Sequence, residues 1–222
     1  MQRLIAFRPA AVIFDMDGLL LDSERIALEF LAQAAAELKL PWTHEVGLRM
    51  VGLNSHESNK RLQQAFGTDY PIVALRERFG KLYDEFIDRG GIPVKPFARE
   101  LLQTLEDSRI PRVVATSTQR TRAERKLARS GLLPYFKALA CGDEVARSKP
   151  APDIFLLAAE RAGFSPEKCL VLEDSNAGVH GATAAHMHVV MVPDLLEPDA
   201  QVIQMDIPRV ASLKTVLDAL LG

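Results

Sequence analysis

Short apolar runs punctuate most of this chain. Val12-Ile13-Phe14, Val113-Val114-Ala115, Phe136-Lys137-Ala138-Leu139-Ala140, Cys169-Leu170-Val171-Leu172 and Val189-Val190-Met191-Val192 each read as a strand. Nearly every position in them is apolar, as expected of strands covered on both faces. From about residue 96 they alternate with helical segments at about 98–108, 120–130, 152–162, 176–186 and 212–221. Such alternation predicts a parallel sheet with helices on both faces, with the Val12 strand as its first member.

Residues 22–95 break the pattern. Ile26, Phe30, Ala34 and Leu38 recur at helical spacing, followed by Leu62 and Phe66 and then Leu75, Phe79, Leu82 and Phe86. No short apolar strand interrupts them, and charged residues occupy the other faces. The expected architecture is therefore α/β: a Rossmann-like core from residues 1–21 and 96–222, with a helical cap, residues 22–95, inserted after the first strand. Glycine-bearing hinges near Gly18 and Gly90-Gly91 would join the two.

In an open parallel sheet, ligands bind beyond the carboxyl ends of the strands. The first strand ends in Asp15-Met16-Asp17-Gly18. If the chain stays extended, Asp15 and Asp17 point the same way and converge on one spot. Converging carboxylates repel unless a cation separates them, and hard oxygen ligands suit Mg²⁺. The later strands end in Thr116-Ser117-Thr118, in Asp143-Glu144 followed by Ser148-Lys149-Pro150, and in Glu173-Asp174-Ser175. Carboxylates, hydroxyls and a lysine thus gather at one sheet edge, a set suited to a phosphoryl group and its metal.

Composition narrows the partners. A net charge of −2 over 222 residues gives no electrostatic case for nucleic acid or an anionic membrane. No apolar run reaches the ~18 residues needed to span a bilayer, and the N-terminus lacks the apolar length of a signal peptide. Cys141 and Cys169, both in apolar surroundings, make a disulfide framework unexpected. A cytoplasmic monomer acting on a small molecule is the expectation.

Taken together, Asp15-x-Asp17-Gly18, Ala115-Thr116-Ser117, Ser148-Lys149-Pro150-Ala151-Pro152-Asp153 and Leu172-Glu173-Asp174-Ser175-x-x-Gly178 resemble the four motifs of the haloacid dehalogenase superfamily, in the family's order. The resemblance covers nearly the whole chain, and the helical insert resembles that of the β-phosphoglucomutase-like group of sugar-phosphate phosphatases. It implies a Mg²⁺-dependent hydrolase of small phosphomonoesters. Asp15 would be the nucleophile that becomes an aspartyl-phosphate, and Asp17 the acid that protonates the leaving alcohol and then the base that activates water. Asp15, the Asp17 carbonyl and Asp174 would hold the metal, with Glu173 at or just behind them. Thr116 and Lys149 would bind the transferring phosphoryl, beside Ser117, while Gly52, Asn54 and Arg78 of the insert would contact the substrate.

The second aspartate separates this chain from the dehalogenase branch, which has no leaving alcohol to protonate. A sugar-phosphate mutase is the alternative enzyme, and a non-catalytic metabolite-binding protein on the same fold is the alternative outside catalysis. β-Phosphoglucomutases carry a histidine early in the first insert helix, where this chain has Ala27, and that difference favours hydrolysis. His186 stands where relatives often place a glycine of positive φ, a conformation that His tolerates better than most residues.

Overall fold

The computed structural model describes Ile5 and residues 7–53 and 55–221; Asn54, expected near the substrate, lies outside them. After β1 (Ala11–Phe14) the chain runs through α1 (Ser23–Glu37), α2 (His44–Leu48), α3 (Ser55–Phe66) and α4 (Ile72–Gly90). It then continues as α5 (Ala98–Asp107), β2 (Arg112–Thr116), α6 (Arg120–Arg129), β3 (Ala138–Cys141), α7 (Asp153–Ala162), β4 (Cys169–Glu173), α8 (Asn176–Ala184), β5 (His188–Met191), α9 (Ala200–Gln204) and α10 (Leu213–Leu221).

Among the described residues the strands form one parallel sheet in the order β3-β2-β1-β4-β5. Phe14 lies opposite Val114 on one side and Leu172 on the other. Successive side chains alternate between faces. Val12, Phe14, Val114, Leu172 and Val190 pack with Leu101, Leu127 and Leu213 of α5, α6 and α10. Ile13, Val113, Ala115, Val171 and Val189 pack with Phe155 and Val179 of α7 and α8. Burial on both faces explains the unbroken apolar runs. β3 begins two residues later than the sequence suggested, because a short turn of 3₁₀ helix at Leu133–Tyr135 immediately precedes Phe136 and Lys137. α9 is short and buries only Val202, so it leaves little apolar periodicity to mark it in the sequence.

The helices between β1 and α5 build their own core from Leu31, Ala34, Ala35, Leu62, Leu75 and Leu82. Leu38, placed by spacing on that apolar stripe, is instead exposed at the helix end. The strands entering and leaving this insert run side by side: Leu21 bridges Val94, and the Asp22 amide donates to the Pro93 carbonyl at 2.9 Å. Lys95 and Arg25 both reach the largely buried Asp194 beyond β5, at 2.6 and 3.2 Å. Further along, Tyr83 and Ile87 of α4 share the buried cluster of Ala123 and Leu127 of α6, and charged pairs line the rim. Arg122 pairs with Asp84 at 3.2 Å, Arg125 pairs with Asp88, and Arg129 reaches Asp88 at 3.5 Å.

His186 has φ 60°, one residue past the C-cap of α8, and the Met187 amide donates back to the Ala182 carbonyl at 3.1 Å. It occupies the left-handed position that commonly closes a helix. Both cysteines are buried and free. No helix among the described residues is long and apolar enough to cross a membrane.

Candidate active site

The strand order reverses between β1 and β4, and Asp15 and Glu173-Asp174 sit at the carboxyl ends of those two strands. This is the place where an open α/β sheet forms a crevice. Carboxylate oxygens of Asp15, Glu173 and Asp174 lie within 4.8 Å of one another, all three residues buried. Lys149, whose side chain is only 6% exposed, sits among them: Nζ donates to Asp15 Oδ1 at 2.5 Å, to Glu173 Oε1 at 2.6 Å and to the Ala115 carbonyl at 3.1 Å. Ser175 fixes the other Glu173 oxygen through its amide and its hydroxyl, at 2.8 and 2.9 Å. That hydroxyl also accepts from the Gly178 amide, capping α8.

Two glycines make room for this cluster. A Cβ on Gly18, whose φ is +91°, would fall 2.2 Å from Asp174 Oδ2. One on Gly178 would fall 1.7 Å from Glu173 Oε1. Backbone and carboxylate approach each other more closely here than any side chain permits.

The charges do not balance. Three buried carboxylates face one ammonium, and isolated buried charge is expensive. Burial, together with the Glu173 charge, raises the Asp15 carboxyl above the ordinary range, although Lys149 pulls it back. Burial and then Glu173 and Asp15 raise Asp174 well above its ordinary value. A site that favours protonating its own acids is one that a hard divalent cation would suit, and this donor set fits Mg²⁺.

Asp17 behaves differently. β1 ends at Phe14, and beyond the strand the alternation rule does not carry Asp17 onto Asp15's spot. Its carboxylate stands outside the acidic cluster, though both aspartates line the same cleft. Asp17 Oδ1 accepts from Ser23 Oγ at 2.5 Å and Lys126 Nζ at 2.7 Å, and Oδ2 accepts from Thr118 Oγ1 at 2.7 Å. Against the upward push of burial, Lys126, Ser23 and Thr118 hold it below the usual carboxylate value.

The cleft has a volume of about 510 Å³. Thr116, Ser117, Lys149 and Gly52 line it, as expected from the sequence. Thr116 is buried, and its hydroxyl accepts from the Thr118 amide at 3.1 Å; it caps no helix, since α6 begins at Arg120. Arg78, expected near the substrate, instead pairs with Glu37 on the exposed face of the insert. Ala27 lines the cleft at the position where mutases carry histidine.

Several cleft residues carry no motif. Lys126 is buried on α6, with Nζ 5.2 Å from the centre of the Tyr83 ring of α4. Tyr83 is itself buried, and its hydroxyl makes no hydrogen bond of normal geometry. Glu24, on the first turn of α1, is pushed up to about 7 by burial and then by the Asp17 charge. Lys126 could have been found: it shares the buried stripe of α6 with Ala123 and Leu127, and lysine is almost never buried unless paired.

Comparison with known proteins decides the family. The haloacid dehalogenase-like hydrolase family matches residues 9–186. The chain belongs to that family. A phosphorylated carbohydrates phosphatase of Thermotoga maritima is 34% identical over 179 residues, covering 79% of this chain and 81% of that protein. Fructose-1-phosphate phosphatase YqaB of Escherichia coli is 32% identical over 197 residues, covering 83% and 97%. Among solved structures, a haloacid dehalogenase-like protein from Agrobacterium tumefaciens superposes with a TM-score of 0.76 at 29% identity, covering 97% of this chain and all of that one. This chain is an enzyme, a phosphatase of phosphomonoesters.

Proposed function

We propose that this phosphatase hydrolyses small, sugar-like phosphate esters through an aspartyl-phosphate on Asp15, in a Mg²⁺-dependent reaction beneath a helical cap formed by residues 22–95. One observation carries the reading: three buried carboxylates and Lys149 meet at the sheet's switch point, with Asp17 beside them in the same cleft. Asp15, Asp174 and the Asp17 carbonyl would hold the metal, with Glu173 behind them. When bound, it neutralises phosphoryl oxygens as negative charge shifts onto the leaving group.

The protein's own groups account for the rest. A carboxylate oxygen of Asp15 bonds to phosphorus while the ester oxygen departs in line. Lys149, tethered by Glu173, supplies a fixed positive charge beside the attacking carboxylate. Thr116, with the neighbouring Ser117, offers hydroxyl and backbone donors to the phosphoryl. Asp17 gives its proton to the departing alkoxide, and then takes one from the water that splits the phosphorus–Asp15 bond. Lys126, Ser23 and Thr118 favour the carboxylate form needed in the second half. A phosphate dianion entering beside Asp17 favours the protonated form needed in the first.

Glu24, Gln119 and Gly52 also line the cleft. These are donors and acceptors suited to the hydroxyls of a polyol leaving group, and the names of the relatives point the same way. Ala27 in place of a histidine favours hydrolysis over transfer within a sugar. Buried free cysteines suit the reducing cytoplasm, and the exposed large apolar residues, such as Val73, Ile203 and Leu221, belong to separate elements, as a monomer requires.

Phosphate release with Mg²⁺ across a panel of sugar phosphates, nucleotides and small phosphorylated acids tests the reading. Asp15→Asn should remove turnover while the melting temperature stays the same or rises, because the substitution relieves repulsion with Glu173. Wild-type rates from Asp15→Asn would refute the assignment.

A further inference from the structure

α6 begins just after the Thr116–Thr118 turn and lies against the sheet with Ala123 and Leu127 inward. Lys126 shares that inward stripe. Its side chain is only 6% exposed, yet it carries a full charge into an apolar setting. A lysine is a costly choice for packing, and a leucine or methionine would fill such a stripe without an ion to desolvate. The charge therefore calls for a reason outside folding, and the geometry supplies one. Nζ meets Asp17 Oδ1 at 2.7 Å, while Ser23 occupies the same oxygen and Thr118 the other.

These three donors come from three separate places: the start of α1, the turn after β2, and α6. A carboxylate held this way has one orientation. Tyr83 of α4 completes the enclosure, its ring set over the ammonium. Lys126 pairs with Asp17, whereas Lys149 is committed to Asp15 and Glu173. The two lysines thus serve two different aspartates.

We propose that Lys126 is a positioning residue that aims the Asp17 carboxylate at the leaving-group oxygen, and is not a ligand of the transferred phosphoryl. The proposal rests on the reading of Asp17 as the proton donor to the leaving alcohol. It predicts a dependence on the leaving group. An alkoxide departs only if it is protonated, whereas p-nitrophenolate is stable enough to leave alone. General acid catalysis is typically worth about 10²–10⁴-fold. The specificity constant kcat/KM covers the steps up to release of the alcohol, so it isolates the half-reaction in which Asp17 acts as acid.

The experiment compares kcat/KM for p-nitrophenyl phosphate and for the sugar phosphate cleaved fastest in the panel above, using wild type, Lys126→Met, Lys126→Arg and Asp17→Asn. Lys126→Met keeps the buried stem and removes the charge. It should lose about 100-fold on the sugar phosphate and only a few-fold on the aryl ester, and Lys126→Arg should recover much of the loss. The ratio of the two constants does not depend on the fraction of chains folded, and Lys126→Gln repeats the test should the methionine variant fail to fold. Equal losses on both esters, or no loss on either, overturn the proposal. Asp17→Asn separates the two claims. If it shows the selective loss and Lys126→Met does not, only the role of Lys126 fails; if Asp17→Asn itself is unselective, the proton-donor reading fails.

Discussion

Gly178 offers a direct measurement of how tightly the acidic cluster is built. It lies in the first turn of α8 with ordinary helical geometry, so helix propensity alone would favour alanine there by about 1 kcal/mol. Space reverses the sign. The new methyl carbon would sit 1.7 Å from Glu173 Oε1 and 1.9 Å from its carboxyl carbon. Glu173 is completely buried and accepts from Lys149 at 2.6 Å and twice from Ser175, at 2.8 and 2.9 Å. Moving it aside breaks at least two of these bonds, each worth about 1.5–3 kcal/mol at a charged group. Net of the propensity gain, Gly178→Ala should cost about 2–5 kcal/mol, which lowers the melting temperature of a chain this size by about 5–20 °C. Lys149 loses one of its anchors in the same step, so phosphate release should fall as well. Gly80→Ala is the control. Gly80 lies inside α4, and a Cβ there meets only Arg122 Nη2, at an ordinary 3.9 Å. It should gain about 0.5–1 kcal/mol. Thermal scans of both variants settle the matter: if Gly178→Ala melts as high as Gly80→Ala, Glu173 is not wedged against α8 and the account of the cluster is wrong.

Further outcomes follow from charge. Dialysis against a chelator should abolish phosphate release and added Mg²⁺ should restore it. In the absence of substrate, Mg²⁺ should also raise the melting temperature of wild type but not of Asp174→Asn, since an ion that binds only the folded state stabilises it; equal shifts would contradict the assigned ligands. Glu144 links β3 to α6 and α7, and Arg161, followed by Arg120, holds its carboxyl down to about 2. A depressed value means that the stabilisation is complete above the unfolded value near 4.5 and is lost as pH falls toward 2. The stability gap between wild type and Glu144→Gln, read by denaturant titration, should therefore shrink from pH 5 to pH 2. A gap that stays constant would refute the pairing.

The sheet was legible because strands covered on both faces leave unbroken apolar runs, and Val171, between Leu170 and Leu172, has no polar neighbour to blur the pattern. Asp15, Lys149, Glu173 and Asp174 were legible because each ends or follows a strand and so must appear at the same edge. The side-chain direction of Asp17 was not, since the alternation of an extended chain stops where β1 ends. Lys126, Tyr83 and Glu24 carry no motif. Each sits on a helix, and only packing between α6, α4 and α1 brings them to the cleft. Arg78 shows the converse: a cation in the right segment, turned outward to Glu37 by its place on α4.

The seam between α4 and α6 joins a buried part, where Tyr83 and Ile87 share one apolar cluster with Ala123 and Leu127, to a rim of arginine–aspartate contacts. Each such contact is worth at most about 1 kcal/mol and is screened within a Debye length of roughly 8 Å at physiological salt. Added salt should therefore loosen the rim of this seam and leave its buried part in place.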